Sequence, residues 1–424
     1  MDSDLRSLWA NRGFRFLITA RFVSNIGNGM APIALAFGVL SLPGATGTSL
    51  SYVTASQMIP IVGFLLIGGV MADRFGRARM VGGTDLIGSV IVGMNGLLFV
   101  TNNASILQLC IAGFAIGTLN ALWYPAFSGL LPEVVEARYL QPANSLIGFS
   151  TNIGFTIGAS AAGILVSTVG PGWAILVDGG TFFIAGILVW QLKSFSHSTT
   201  DVNHQESMLQ QMRQGWNEFH SRRWLIVIVG SFSLINMCFE AFLAVLAPLQ
   251  MKESLGGARH MGFMMFAWGL GSVIGVLFSM RIRTKRPLVT AMAVMPVLGF
   301  WMLALAEPVS LPVIMLLALA TGIAFDIFYV LWMTTVQSHV PHEALSRVGS
   351  YDAFGSNILV PIGLLIAGPL ATTLSVRTVM FGAALITILL SVGAFFSRDV
   401  RMIQRKNPSL DLAAFQESSA PTGT

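Results

Sequence analysis

The amino-acid sequence predicts an all-α membrane protein with twelve transmembrane helices in two pseudo-symmetric six-helix bundles. The first observation behind this prediction is composition. Of the 424 residues, 54% are hydrophobic and only 10% are charged, whereas soluble domains carry about 25% charged residues. The second is the total number of residues without a polar side chain, because the hydrophobic residues and the 44 glycines suffice for roughly twelve spans of about 20 residues. A soluble enzyme, a secreted disulfide scaffold and a disordered chain are therefore excluded.

Twelve uninterrupted apolar stretches mark the predicted spans, numbered here in chain order. They lie at 14–40, 51–71, 80–101, 104–130, 142–168, 173–192, 224–249, 259–281, 287–305, 310–336, 351–374 and 376–397. Each is long enough for a helix to cross a bilayer core of about 30 Å. The first stretch is predicted to be a span rather than a signal peptide, because it is long and lacks a small-residue cleavage site.

The distribution of lysine and arginine predicts the orientation of the chain. Of the 24 such residues, only Lys252, Arg259 and Arg377 fall in loops on one side, and Arg21 lies in span 1. The remainder fall in the connections and termini on the other side. Because cytoplasmic loops retain positive charge, this asymmetry predicts a multi-pass protein of the inner membrane with both termini in the cytoplasm.

The longest predicted cytoplasmic connection divides six spans from six. The predicted organisation is an N-terminal bundle 1–192, a cytoplasmic linker 193–223, a C-terminal bundle 224–397 and a cytoplasmic tail 398–424. Within the linker, one helical stripe is apolar and consists of Met208, Met212, Trp216 and Phe219. This stripe predicts a helix lying at the membrane interface, and a regulatory docking site is the alternative.

The two halves repeat each other weakly around spans 4 and 5. Trp123-Tyr124-Pro125 and Leu131-Pro132-Glu133 in the first half correspond in position to Phe328-Tyr329 and Val340-Pro341 in the second. Internal repeats of this kind are typical of transporters in which two bundles rock about a binding site near the middle of the membrane.

The connection between spans 2 and 3 carries the most specific motif. It reads Gly68-Gly69-Val70-Met71-Ala72-Asp73-Arg74-Phe75-Gly76-Arg77. Glycines allow a tight turn, and an acid beside arginines can cap a helix and form switchable ion pairs. These residues are predicted to form a conformational latch that consists of Gly69, Asp73, Arg74, Gly76 and Arg77.

This segment resembles the loop signature of the major facilitator superfamily. Four further stretches resemble its drug-exporter subgroup, typified by macrolide efflux proteins and the enterobactin exporter: Ala20-Arg21-Phe22, Leu131-Pro132-Glu133, Arg222-Arg223-Trp224 and Val340-Pro341. The resemblance implies a transporter whose spans 1, 4, 7 and 10 line a central cavity. The chain departs from it at Asn28, where relatives often carry Asp, which argues against proton coupling through span 1.

Acidic side chains deep in the predicted membrane are the candidates for proton coupling. Glu240 in span 7 and Asp326 in span 10 lie within about 10 Å of the midplane, counted at 1.5 Å per helical residue. Charged groups at this depth are costly and usually functional. The alternative is a structural hydrogen bond to a neighbouring Asn or Tyr, with no role in turnover. Asp85 and Asp178 lie nearer the membrane edges and are predicted to be packing groups.

Polar and aromatic residues at helical spacing on the same four spans predict the substrate cavity. They are Arg21, Asn25, Asn28, Asn120, Trp123, Asn236 and Tyr329. Polar side chains also join helices within membrane bundles, which is the alternative for these stripes.

The predicted function is export of an amphipathic small molecule, such as a drug, a macrolide-like compound or a siderophore, by proton-coupled alternating access. No glycine is followed by lysine, so there is no phosphate-binding loop of the ATPase type. The six histidines lie in loops or at span edges. The sequence therefore predicts a monomer in the lipid bilayer whose partners are its substrate and protons, with no enzyme activity, cofactor, metal or nucleic acid. The alternatives are an importer or facilitator of a nutrient or lipid-like solute, and a non-transporting receptor or enzyme.

Overall fold

In a computed structural model, the described residues are 7–194, 208–279, 281–282, 284–307, 309–341 and 344–405. Side chains are described for these residues except 65–75, 137, 193–194, 208–212 and 346. The secondary structure of the described part is helical, without strands.

Eleven helical segments in the described part are long and apolar enough to cross a membrane. They are Arg12–Ser41 (span 1), Arg77–Val100 (span 3), Ile106–Val134 (span 4), Leu140–Thr168 (span 5), Pro171–Trp190 (span 6), Arg223–Ser254 (span 7), Gly257–Ser279 (span 8), Pro287–Ala306 (span 9), Leu311–His339 (span 10), Arg347–Leu374 (span 11) and Val376–Phe396 (span 12). Span 2 is the helix Gly47–Phe75. The predicted all-α membrane fold is confirmed, with one helical segment for each predicted span.

Three spans of the second half contain breaks that the sequence analysis did not predict. Span 7 includes a π-helical turn at Phe242–Leu246. Span 9 is interrupted at Met295, directly before Pro296, and span 11 at 358–359, before a helix that starts Val360-Pro361. Proline lacks a backbone donor and clashes with the preceding turn, which explains two of the breaks. The apolar run continues through all three, so hydropathy alone does not reveal them.

The helix packing repeats between the halves after a shift of six spans. In the first half, span 1 packs on span 5, span 2 on span 4 and span 3 on span 6. In the second half, span 7 packs on span 11, span 8 on span 10 and span 9 on span 12. The pseudo-symmetry that the weak sequence repeat predicts is therefore present in the packing.

The halves meet where span 5 packs on span 8 and span 2 on span 11. We call the end of the molecule that carries the connections between spans 2 and 3, 4 and 5, and 6 and 7 the basic end, and the opposite end the far end. At the far end, the backbone N–H of Gly368 donates to Ser51 Oγ at 2.7 Å, and Lys252 Nζ donates to the carbonyl oxygen of Leu40. These contacts hold the two halves together at the far end.

The helix Met208–His220 within the linker contacts the second half directly. The ring of Tyr351 in span 11 lies 5.6 Å from that of Trp216 and 6.0 Å from that of Phe219, measured between centroids. Arg347 donates a hydrogen bond to Gln214. The side chains of Met208 and Met212 lie outside the described residues. The linker helix is thus fastened to the start of span 11 on the face that carries Trp216 and Phe219.

Candidate functional site

A cavity of about 600 Å³ lies between the two halves, and we call it the first cavity. Spans of the first half supply most of its wall, and spans 7 and 11 supply the remainder. Six residues singled out from the sequence line it: Arg21, Asn25, Asn28, Asn120, Trp123 and Glu240. Volumes of roughly 300–1,000 Å³ suit drug-sized ligands, so the cavity can hold a small organic molecule.

Arg21 is held against aromatic rings on the wall of the first cavity. Its guanidinium carbon lies 4.5 Å from the ring centroids of both Trp123 and Phe127, which stack on each other at 4.7 Å and an interplanar angle of 7°. Cations are attracted to aromatic faces. Arg21 Nε is buried and has no hydrogen-bond partner among the described residues. The side chain is therefore held in place by the two rings with one buried donor unpaired.

Two buried acidic residues lie behind the wall of the first cavity that carries Arg21. Asp85 of span 3 is 5% exposed, interacts electrostatically with Arg21 and accepts a hydrogen bond from Trp123. Asp178 of span 6 is 2% exposed and packs against Gly27, where a Cβ atom would lie 2.2 Å from Asp178 Oδ1. Both acids lie in the packed interior of the first half.

The three asparagines that line the first cavity differ in what they offer to a ligand. Asn25 is 5% exposed and its Nδ2 donates to the carbonyl oxygen of Arg21 at 2.7 Å, so its amide nitrogen is already bound. Asn28 and Asn120 are half-buried at the cavity wall. The latter two are the asparagines better placed to contact a substrate.

Glu240 brings a carboxylate from the second half into the first cavity. It lies on span 7, two residues before the π-helical turn, and such turns are frequent at functional sites. Glu240 forms no hydrogen bond or ion pair in the part of the chain that the structure describes. The first cavity thus combines one cation from the first half, Arg21, with one unpaired acid from the second.

Asp326 has a different environment from Glu240. Its carboxylate accepts a hydrogen bond from Ser272 of span 8, and a Cβ atom placed on Gly275 would lie 3.0 Å from the Asp326 Cβ. It is not among the lining residues of the first cavity. The carboxylate therefore has a hydrogen-bond partner in a neighbouring helix, which is a serine rather than the Asn or Tyr of the predicted alternative.

A second cavity, of about 590 Å³, is lined by spans 7, 10 and 11. It contains the remaining predicted cavity residues, Asn236 and Tyr329. Asn236 Nδ2 donates to the carbonyl oxygen of Ser356 at 3.0 Å, and Tyr329 is 57% exposed. The residues predicted to share one cavity are therefore divided between two.

Asp352 lines the second cavity and is a candidate functional residue that the sequence analysis missed. It is the second residue of predicted span 11, so it was placed at the membrane edge. In the structure the helix begins at Leu345, which places Asp352 about two turns inside it. The apolar pattern starts six residues after the helix does, so it gives no signal that Asp352 lies inside the helix.

Only part of the predicted latch lies among the residues whose side chains the structure describes. Gly76 has φ +86°, a conformation that favours glycine. Arg77 NH1 donates to the carbonyl oxygen of Gly129 at 2.8 Å and lies 3.6 Å from Glu133 Oε1. The side chains of the other latch residues, Gly69, Asp73 and Arg74, lie outside the described residues. The described contacts of the latch tie the start of span 3 to span 4 within the first half.

Replacing Arg77 with alanine is expected to lower the rate of transport about tenfold while leaving substrate affinity within about twofold. The substitution removes contacts between spans and none of the cavity lining. The checks are initial transport rates and equilibrium binding on the same preparation. Arg138→Ala is the matched control, because its ion pair with Glu136 is exposed on the surface. Equal effects of the two substitutions, or a loss of affinity in R77A, would contradict the latch.

The chemistry of the two cavities is that of binding. Among the described residues, no three His, Cys, Asp or Glu side chains are grouped as metal ligands. Both cysteines are free thiols, with Cys238 buried and Cys110 half-buried. The arrangement of one cation, a few acids, amides and aromatic rings can hold an amphipathic molecule and exchange a proton.

The sequence matches the family model of the Major Facilitator Superfamily over residues 17–358 and 231–417. The chain therefore belongs to the Major Facilitator Superfamily, and it is a multi-pass membrane transporter rather than an enzyme. The resemblance carried by the loop between spans 2 and 3 is confirmed.

Two transporters are distantly similar to this chain over nearly its whole length. The multidrug efflux pump Tap of Mycobacterium tuberculosis is 24% identical over 429 residues, which is 98% of this chain and 99% of the relative. The enterobactin exporter EntS of Escherichia coli O81 is 25% identical over 406 residues, which is 91% of this chain and 93% of the relative. The resemblance to the drug-exporter subgroup is thereby confirmed.

Solved structures with the same fold are also similar along their whole length. The nucleoside transporter NupG matches with a TM-score of 0.69 at 13% identity, covering 91% of this chain and 100% of that chain. A bacterial homologue of the lysosomal transporter Spinster, solved in an inward-facing and unoccupied conformation, matches with a TM-score of 0.66 at 14% identity, covering 93% and 98%. At these identities the likeness establishes the fold alone.

Proposed function

We propose that this protein exports an amphipathic small molecule, such as a drug, a macrolide-like compound or a siderophore, across the inner membrane by proton-coupled alternating access. The observation that carries the proposal is the first cavity, which lies between the halves and holds Arg21 from one and Glu240 from the other. In the proposed orientation both termini are cytoplasmic, as the arginine distribution predicts. The protein acts as a monomer, since each chain contains both halves.

Alternating access is supported by how the halves meet. The bundles 1–192 and 224–397 are the two moving parts in this proposal, with the linker 193–223 between them. Their contacts at the far end include the Ser51–Gly368 and Lys252–Leu40 hydrogen bonds and the close approach of Gly368 to Gly47. Breaking these contacts and closing the basic end would expose the first cavity to the outside, which is the motion expected of repeated bundles.

Proton coupling is supported by the position of Glu240. An unpaired carboxylate at membrane depth is costly, and a proton or a cationic substrate group can neutralise it. In the proposed cycle Glu240 binds a proton when the cavity faces outward and releases it to the cytoplasm. Asp326 remains the second candidate, and the hydrogen bond from Ser272 makes it the weaker one. Export, rather than import, is supported by two relatives, a multidrug efflux pump and an enterobactin exporter.

The test has two stages, because the substrate must be identified first. Growth of cells with and without the protein is compared across antibiotics, dyes and siderophores, and we expect raised tolerance to at least one class. The purified protein is then placed in vesicles of known orientation, and flux of that compound is measured with and without a pH gradient. Accumulation that follows the gradient supports the proposal. Flux that does not respond to the pH gradient would indicate a facilitator, and net inward flux in cells would indicate an importer. Binding without flux would indicate a receptor. Each of these results would contradict the proposed proton-coupled export.

A further inference from the structure

We propose that the second cavity is a separate substrate subsite that recognises a cationic group carried on an aromatic or apolar body, with Asp352 as the residue that binds the charge. This inference deepens the proposed function and rests on it, because it names the class of molecule that the transporter takes. The inference rests on three observations, which are the aromatic rings that line the second cavity, the hydrogen bonds of Asp352, and the absence of basic residues from the described lining.

Aromatic rings from spans 7 and 10 form one wall of the second cavity. The rings of Phe232 and Phe328 stack with their centroids 4.1 Å apart at an angle of 21°. The ring of Trp332 continues the stack, 6.2 Å from Phe328 at 13°. Tyr329 and Met333 also line the cavity. Near-parallel rings and a thioether give a polarisable apolar surface that attracts flat molecules and cations.

The carboxylate of Asp352 is fixed in place by neutral donors. Trp332 Nε1 donates to Asp352 Oδ2 at 2.8 Å, and Ser356 Oγ donates to Oδ1 at 3.2 Å. Asn236 binds the backbone carbonyl of Ser356 and so supports the same turn of span 11. Hydrogen bonds of this kind orient a carboxylate without cancelling its charge.

No described basic residue forms an ion pair with Asp352, and the described residues that line the second cavity include no lysine, arginine or histidine. Arg347, five residues earlier on the same helix, donates to Gln214 of the linker helix. Asp352 is the one acidic side chain among the described residues that line this cavity. A ligand cation is therefore the natural counter-charge, and in a site of low dielectric its attraction to the carboxylate is strong.

The charge of the second cavity contrasts with that of the first. The first cavity carries Arg21 as well as Glu240, so it favours neither sign, whereas the second presents a single negative charge. The volume of about 590 Å³ suits a drug-sized molecule. The second cavity is thus expected to set a preference for cations that the first cavity alone would not give.

The test compares two probes of equal size and opposite charge, tetraphenylphosphonium and tetraphenylborate, by equilibrium binding to the purified full-length protein. We expect the cation to bind at least about tenfold more tightly than the anion. Asp352→Asn keeps the acceptor for Trp332 and should remove this preference, and Asp352→Glu should restore it. Phe328→Leu should weaken cation binding about threefold to tenfold, which corresponds to roughly 0.5–1.5 kcal/mol.

The matched control is Glu136→Gln, which removes a carboxylate from the surface, where its side chain is 69% exposed. Equal binding of the two probes by the wild type, or cation affinity in D352N equal to that in E136Q, would overturn the inference. Neither result would contradict the proposed function, because that function is tested by the flux of the substrate through the membrane. Conversely, cation binding that depends on Asp352 in a protein that moves no substrate would overturn the proposed function and leave a cation site without transport.

Discussion

Replacing Glu240 with glutamine is expected to abolish substrate accumulation driven by a pH gradient, lowering it at least about tenfold, while substrate still exchanges across the membrane down its own gradient. Glutamine keeps the size and polarity of the side chain but cannot bind and release a proton. Glu240 lines the first cavity without a described hydrogen-bond or ion-pair partner, so its protonation is free to change with the state of the cavity. The measurement is flux in vesicles with and without an imposed pH gradient.

The matched control for this prediction is Asp326→Asn. Asp326 is a membrane carboxylate like Glu240, but its carboxylate accepts from Ser272 where spans 8 and 10 pack. We expect D326N to keep its response to the gradient, and the double variant to behave as E240Q does. A wild-type response in E240Q would exclude Glu240 as the coupling group. Loss of the response in D326N alone would transfer that role to Asp326.

The fold could be predicted from the sequence because its main determinants are local. A span is a run of apolar residues long enough to cross the bilayer, and the arginines mark the connections on one side. The loop that ends in Gly76-Arg77 then identified the superfamily. None of these signals depends on knowing which helices touch.

The site was predicted less completely, because its chemistry depends on contacts between distant segments. Glu240 and Asp326 look equivalent by depth, yet only the structure separates a cavity carboxylate from one bound to Ser272. Asp352 was missed because the apolar pattern starts later than the helix does. The π-helical turn after Glu240 leaves no mark in an all-apolar stretch.

For the linker helix, the sequence predicts the element but not the surface that it contacts. Its apolar stripe predicts a helix at the membrane interface; the structure has a helix at Met208–His220, and its position at the interface stays a prediction. An apolar stripe cannot specify its partner, which for Trp216 and Phe219 is the ring of Tyr351 on span 11. The neighbour of Tyr351 in the sequence is Asp352, so the linker helix lies against the turn that carries the second cavity's acid.

Replacing Arg21 with methionine is expected to destabilise the protein more than any other single substitution considered above. Asp85 is 5% exposed, and Arg21 is the cation that interacts with it across the first half. No ion pair joins the two groups among the described residues, so the loss of this longer-range attraction is expected to cost less than the about 3–5 kcal/mol of a broken buried ion pair. The contacts of the guanidinium with the rings of Trp123 and Phe127 are lost as well, each of the order of 1 kcal/mol.

A double variant separates the charge from the packing. Asp85→Asn in the R21M background removes the stranded carboxylate, keeps an acceptor for Trp123, and should recover most of the lost stability. The measurement is the thermal unfolding midpoint of the purified protein for both single variants and the double variant. Arg138→Met is the control, because its pair with Glu136 is exposed and exposed pairs contribute about 1 kcal/mol or less. If the unfolding midpoint of R21M/D85N is no higher than that of R21M, the lost stability comes from the ring contacts. Arg21 then stabilises the cavity wall by packing rather than by neutralising Asp85.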